Sequence, residues 1–121
     1  MTLVLLSLGG MCGAIARYKL GVVLLRREPH SFPFGTFFIN ISGALLLGLL
    51  CGFGVSGNPY LLLGDGFCGA FTTFSTFTVE SVQLIRGKAA KKAILFVVLS
   101  VSVGIACFTI GYGVAGIFTA R

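Results

Sequence analysis

The chain reads as an all-α membrane protein, with four transmembrane helices and a break in the third, in a single domain spanning residues 1–121. Three observations lead to that reading. Hydrophobic residues make up 56% of the chain and charged residues only 10%, with a mean hydropathy of +1.04, which leaves too little polar surface for a water-soluble unit of this size. Four stretches reach the roughly 20 apolar residues that a helix rising about 1.5 Å per residue needs to cross a hydrocarbon core of about 30 Å. One of the four, containing GDGFCGAFTTFSTFTVES at residues 64–81, is punctuated by glycines and hydroxyl residues.

The first stretch runs from Thr2 to about Leu25 and the second from Phe34 to about Val55. The third runs from Tyr60 to about Ile85, and the fourth from Ala93 to about Phe118. Short connectors separate them: RREPHSFP, SGNP and RGKAAKK. In the second connector Asn58 reads as a cap and Pro59 suits the first helical turn. The triplet AIA at 14–16 resembles a signal-peptidase site, but no basic segment precedes it and apolar sequence continues after it, so the first stretch is expected to be a span.

Four cysteines, Cys12, Cys51, Cys68 and Cys107, fall one in each stretch and are expected to be small buried side chains, with neither disulfide nor zinc spacing. The net charge of +6 does not indicate a nucleic-acid partner. Arg26, Arg27, Arg86, Lys88, Lys91 and Lys92 all lie in connectors that four hairpin-linked spans place on one side, the pattern of a membrane-orientation signal. Arg121 alone marks the opposite side. Among the many glycines, Gly9 with Gly13 and Gly48 with Gly52 form small-xxx-small pairs, which let helices approach closely in lipid. Four helices alone hardly enclose a hydrated path, so an oligomer is expected.

In the third stretch Gly64, Gly66 and Gly69 loosen the helix, and Thr72, Thr73, Ser75 and Thr76 supply hydroxyls for freed backbone groups. Irregular backbone at membrane depth is tolerated only where protein or a water-filled cavity satisfies it, and its carbonyl oxygens suit a cation such as sodium. The same composition also fits an intact helix whose hydroxyls bond back to their own turn. Phe67, Phe71, Phe74 and Phe77 recur at helical spacing and are expected along one face, either as packing or as ring edges offered to an anion. Thr36, Asn40 and Gly43 share a face of the second span, where the Asn40 amide serves either an anion or a neighbouring helix. Arg17 lies deep in the first span near Lys19, placed for function or for snorkelling to the connector. Glu80 follows Phe77 by about one turn, suited to a pathway or to an ion pair, and Ser100 follows Phe96 by one turn. Ser102 and Thr109 are further polar interruptions whose simplest role is backbone bonding.

Three segments in this order, GGMCGAIARY at 9–18, PFGTFFINISGALLLG at 33–48 and GFCGAFTTFSTF at 66–77, resemble the Fluc (CrcB) family of fluoride channels over nearly the whole chain. The resemblance implies an antiparallel, dual-topology homodimer in the cell membrane, with two fluoride pores and a structural sodium ion at the dimer interface. By motif position, the backbone carbonyls of Gly69 and Thr72 would hold the sodium, Phe74 and Phe77 would be the pore phenylalanines, and Asn40 would line the path. Arg17 would stand in the entry vestibule, and Ser75 and Ser100 would join a hydroxyl track with Glu80 beside it. Phe96 and Gly104 depart from the tyrosine and hydroxyl residue expected there, and the one-sided connector charge departs from the weak bias that dual topology calls for. The implied activity is passive export of fluoride from the cytoplasm, with no enzymatic step. A non-conducting subunit, or one that requires an oppositely oriented partner, is the main alternative. A proton-coupled small multidrug exporter would want a carboxylate in the first span, which has none, and the chain contains no Trp. His30, the single histidine, has no nucleophile or ligand set around it to suggest an enzyme.

Overall fold

The computed structural model describes residues 1–24 and 31–120. Arg26, Arg27, His30 and Arg121, with the end of the first predicted stretch at Leu25, lie outside the described residues. Helix α1 (Thr2–Leu24) is followed by α2 (Phe34–Gly52). Next come the short α3 (Asn58–Tyr60), a π-helical stretch Leu61–Cys68 that continues it, and α4 (Gly69–Phe71). Helices α5 (Phe74–Arg86) and α6 (Ala90–Thr119) complete the chain. Among the described residues three helices, α1, α2 and α6, are individually long and apolar enough to cross a membrane. The third predicted stretch is helical too, but in consecutive pieces, because Thr72 and Thr73 separate α4 from α5. The fourth starts three residues earlier than expected, at Ala90, so Lys91 and Lys92 belong to the first turn of α6 rather than to a connector.

The glycine pairs mark where helices meet backbone to backbone. Gly9 and Gly13 of α1 face the π-helical stretch so closely that a Cβ on either would collide with the carbonyl oxygen of Leu62 or Phe67 respectively. Gly66 returns the contact, a Cβ there lying 3.1 Å from the Gly9 Cα. On α2, Gly48 is pressed in the same way against the Phe108 carbonyl of α6, and a Cβ on Gly52 would lie 2.7 Å from the Ala115 Cβ. Gly111 of α6 reciprocates, since a Cβ there would lie 2.6 Å from the Leu45 carbonyl oxygen. Such approaches maximise dispersion contact where lipid offers no hydrophobic driving force between helices. The subunit is therefore two close pairs, α1 with the π-helical stretch and α2 with α6, joined by α5 lying on α6.

Helix ends follow their local chemistry. Helix α2 closes with a Schellman motif: Gly54 (φ 67°) donates to the Cys51 carbonyl at 3.0 Å, and Val55 donates to Leu50 at 3.0 Å. Helix α5 closes in the same way, with Lys88 donating to Ile85 at 3.1 Å and Ala89 to Leu84 at 2.9 Å. There the left-handed position is filled by Lys88 (φ 59°), a residue with a Cβ, while Gly87 stands one place too early to take it. Asn58 is not the cap expected from sequence. Gly57 (φ 66°) holds that position because the turn needs a positive φ, while Asn58 and Pro59 form the first turn of α3.

The tight α5–α6 turn brings together the buried cluster Leu84, Ala93 and Phe96, with Phe32, Phe37, Phe77 and Ala89 packed against it. Elsewhere the long apolar side chains point outward, among them Leu3, Met11, Ile15, Ile94, Ile105 and Ile117. That is the arrangement of a multi-pass membrane protein whose solvent is lipid. The cysteines correct the sequence reading: all four are free thiols, but only Cys68 is buried, Cys12 being exposed and Cys51 and Cys107 half-buried. For Cys12 and Cys107 the reason is that α1 and α6 each present most of their circumference outward, so position in a span does not imply burial in the subunit.

Two stability outcomes follow. Lys88→Gly relieves the left-handed strain and is expected to stabilise the protein by about 1 kcal/mol, read as a higher melting temperature in detergent. Gly48→Val drives a branched side chain into the α6 backbone and is expected to cost about 3 kcal/mol or more, seen as loss of a monodisperse peak in size-exclusion chromatography.

Candidate functional site

The most irregular backbone within a predicted span lies between α4 and α5. Thr72 (φ −75°, ψ 157°) and Thr73 (φ −143°, ψ 117°) are both extended. Two side-chain arrangements hold them. Asn40 of α2 grips Thr73 from both sides, its Oδ1 accepting from the Thr73 N–H at 2.8 Å and its Nδ2 donating to the Thr73 carbonyl at 3.1 Å. The Thr73 hydroxyl then caps α5, accepting from the Thr76 N–H at 3.2 Å and lying 3.2 Å from the Thr76 hydroxyl.

These bonds have a consequence for the carbonyls around the junction. In a continuous α-helix the Gly69 carbonyl would accept from the Thr73 N–H and the Thr72 carbonyl from the Thr76 N–H. Both N–H groups are instead taken by side-chain oxygens, of Asn40 and Thr73 respectively. The carbonyl oxygens of Gly69 and Thr72 thus lose their ordinary helical donors, and they do so on a surface that is open. Gly69 is exposed, with no atom within 4 Å of where its Cβ would be. Thr72 keeps its hydroxyl on the preceding turn, donating to the Cys68 carbonyl at 2.9 Å. Backbone carbonyls released from their helical donors are hard oxygen ligands of the kind that replace the hydration shell of a monovalent cation, so the donor set fits sodium.

The junction opens onto a concavity of about 480 Å³. Asn40, Gly43 and Leu47 of α2 line one part of it, and Asp65, Gly69 and Thr72 another, with Tyr60 also on its wall. Gly43 admits the junction, its missing side chain leaving room for the Thr72 methyl and for Phe71, 3.3 Å from where a Cβ would be. Asp65 is the residue that sequence reasoning missed. The signal was available, since a carboxylate flanked by Gly64 and Gly66 within an apolar span is expensive unless it has a task.

The phenylalanines do not form one continuous face. Phe67 and Phe71 stack with ring centroids 5.5 Å apart, while beyond the junction Phe74 and Phe77 form a second, tilted pair 6.1 Å apart. The two extended residues reset the helical phase between the pairs. Phe77 continues into the α6 cluster, 5.0 Å from Phe96, whose ring meets that of Phe32 edge-on at 5.5 Å. Phe74, by contrast, is 79% exposed. Ser75 beside it is exposed as well, and Glu80 is half-buried one turn beyond Phe77. The Ser100 hydroxyl is buried without a hydrogen-bond partner, unlike those of Ser102 and Thr109, which donate to the Val98 and Ile105 carbonyls at 2.6 and 2.8 Å. Arg17 does not line the concavity; it is half-buried on α1, on the same face as the buried Gly13 and Gly21.

Comparison with known proteins identifies the family. Residues 4–112 match the family described as CrcB-like protein, Camphor Resistance (CrcB). The chain is similar to the fluoride-specific ion channel FluC 2 of Clostridium acetobutylicum, with 44% identity covering 88% of this chain and 92% of the relative. It is similar also to FluC 2 of Rhodococcus jostii, with 46% identity covering 93% and 96%. A third relative is FluC 1 of Moorella thermoacetica, with 40% identity covering 96% and 83%. Matched over nearly its whole length by the family and by these relatives, the chain belongs to the CrcB family.

Proposed function

We propose that the protein is a passive, selective fluoride channel of the cell membrane, built as an antiparallel homodimer with two pores, through which fluoride leaves the cytoplasm. The observation that carries this reading is the near full-length similarity, at 40–46% identity, to relatives named fluoride-specific ion channels. The geometry supports it at three places. Phe74 is too exposed in a single subunit to wall a pore, so its part in a conduction path requires a second copy against it. The Ser100 hydroxyl, buried without a partner, is a polar position that a desolvated anion or a water would satisfy. The carbonyls of Gly69 and Thr72, freed on an open concave surface, suit a cation shared by two subunits.

Fluoride is small and strongly hydrated, so a narrow path must offer substitutes for water while holding the ion weakly enough to release it. In the proposed path Arg17 raises the local anion concentration at the entry, and Ser75 and Ser100 replace water with hydroxyl donors. The positive ring edges of Phe74 and Phe77 stabilise the anion without a fixed charge that would trap it. Asn40 holds Thr73 and keeps one amide hydrogen beyond the bond it gives to the Thr73 carbonyl. Glu80, half-buried beside this path, disfavours prolonged residence of an anion near it. Sodium, when bound, would neutralise the freed carbonyl dipoles and join the two junctions across the interface. The resemblance of donor chemistry extends no further than that structural role, and no coupled transport is implied.

One observation favours a second reading, in which an oppositely oriented partner is required. Arg86, Lys88, Lys91 and Lys92 are all exposed around the α5–α6 turn, a strong one-sided orientation signal.

The purified chain, reconstituted alone in potassium-fluoride-loaded liposomes, is expected to release fluoride rapidly on addition of valinomycin and to release little chloride from matched vesicles. Silence from a well-folded preparation would point instead to the obligatory partner. Phe74→Ile and Phe77→Ile are each expected to lower fluoride flux by about tenfold or more while the dimer remains assembled; normal flux in both would remove the rings from the path.

A further inference from the structure

We infer that Asp65 supplies negative charge to the cation site proposed above and sets its affinity for sodium. The inference rests on that site and adds to it a side chain the backbone oxygens do not provide. Asp65 stands four residues before Gly69 and seven before Thr72, and all three line the same concavity. The Asp65 and Gly69 positions are both exposed there, and among the described residues a Cβ on Gly69 would find open space. Among the described residues that line the concavity, all but Asp65 are apolar or uncharged. A carboxylate in an apolar span is costly unless a cation or a hydrogen-bonding partner meets it, and among the described residues no lysine, arginine or histidine lines this wall.

Antiparallel pairing settles how two such carboxylates coexist. A two-fold axis through a cation shared by both junctions carries the Asp65 of one copy along the third span in one direction and that of the partner copy in the other. The two carboxylates then flank the cation rather than confront each other. Each acts about one helical turn from it, in surroundings from which the packed subunits exclude water, where charge interactions are far less screened than at a surface. Two negative charges beside the carbonyl dipoles would tighten the site and favour a cation over a vacancy.

The test is the sodium dependence of dimer stability. The melting temperature of the detergent-solubilised protein is followed across a sodium chloride titration, with ionic strength held constant by N-methyl-D-glucamine chloride. Asp65→Asn, which keeps size and hydrogen-bonding shape but removes the charge, is expected to raise the sodium concentration for half-maximal stabilisation by about tenfold or more. Asp65→Glu, which keeps the charge, is expected to stay within about threefold of the unsubstituted protein and serves as the decisive comparison should Asp65→Asn fail to assemble. An unaltered half-saturation point in Asp65→Asn, or a shift in Asp65→Glu as large as tenfold, would overturn the role of Asp65 and leave the carbonyl site standing. Absence of any sodium dependence in the unsubstituted protein would overturn the carbonyl site itself, and this inference with it.

Discussion

The paired hydrogen bonds between Asn40 and Thr73 are the constraint on which the rest of the site depends. They join residues 33 apart in sequence and give an extended backbone unit the two partners that a helix would otherwise provide. Inside a bilayer there is no water to do this, and an unsatisfied peptide group there costs several kcal/mol. Without Asn40, the third span would regain its missing bonds most cheaply by becoming a continuous helix, and the Gly69 carbonyl would recover its donor. The amide of one helix thus determines the backbone state of another.

Everything around that pair is arranged to let α2 and the junction meet. Gly43, one turn after Asn40, is bare because the Thr72 methyl and the Phe71 ring occupy the space where its side chain would be. On the far side, Gly48 and Gly52 bring α2 against α6, and on the other flank Gly9 and Gly13 bring α1 against the π-helical stretch. Leu62 and Phe67 backbone atoms of that stretch lie against the bare Gly9 and Gly13 of α1. Close packing and broken backbone are therefore one design: rigid neighbours at minimum separation hold a segment that would not stay irregular by itself.

Much of this was legible in the sequence because it depends on residue type at short range. Small-xxx-small pairs announce close contact, and Gly64, Gly66 and Gly69 with the hydroxyls of Thr72 to Thr76 admit a loosened backbone as well as an intact helix. What could not be read was set by distant contacts. The π-helical turns left no mark in the local residue pattern, and the choice of Thr73 as the residue Asn40 grips depends on the register between two helices. The phenylalanine spacing misled for a related reason: periodicity assumes an unbroken helix, and two extended residues suffice to separate Phe67 and Phe71 from Phe74 and Phe77. The cysteines misled because one apolar letter serves both a protein core and a lipid-facing surface.

The exposure pattern of the single subunit carries the argument toward assembly. Lipid can cover Ile94, Ile105 and Ile117 without loss, since hydrocarbon is as good a solvent for them as protein. It cannot cover the concavity at the junction equally well, because Asp65, two carbonyls lacking their helical donors and the Asn40 amide meet there. Polar groups gathered at membrane depth need either water or a complementary polar surface. A second copy of the same chain brings the same groups related by a two-fold axis, but two sets of carbonyl oxygens and carboxylates repel unless positive charge lies between them. In the proposed dimer a cation would be the condition under which the two polar faces could close on each other, and a carboxylate at Asp65 would make that condition stricter.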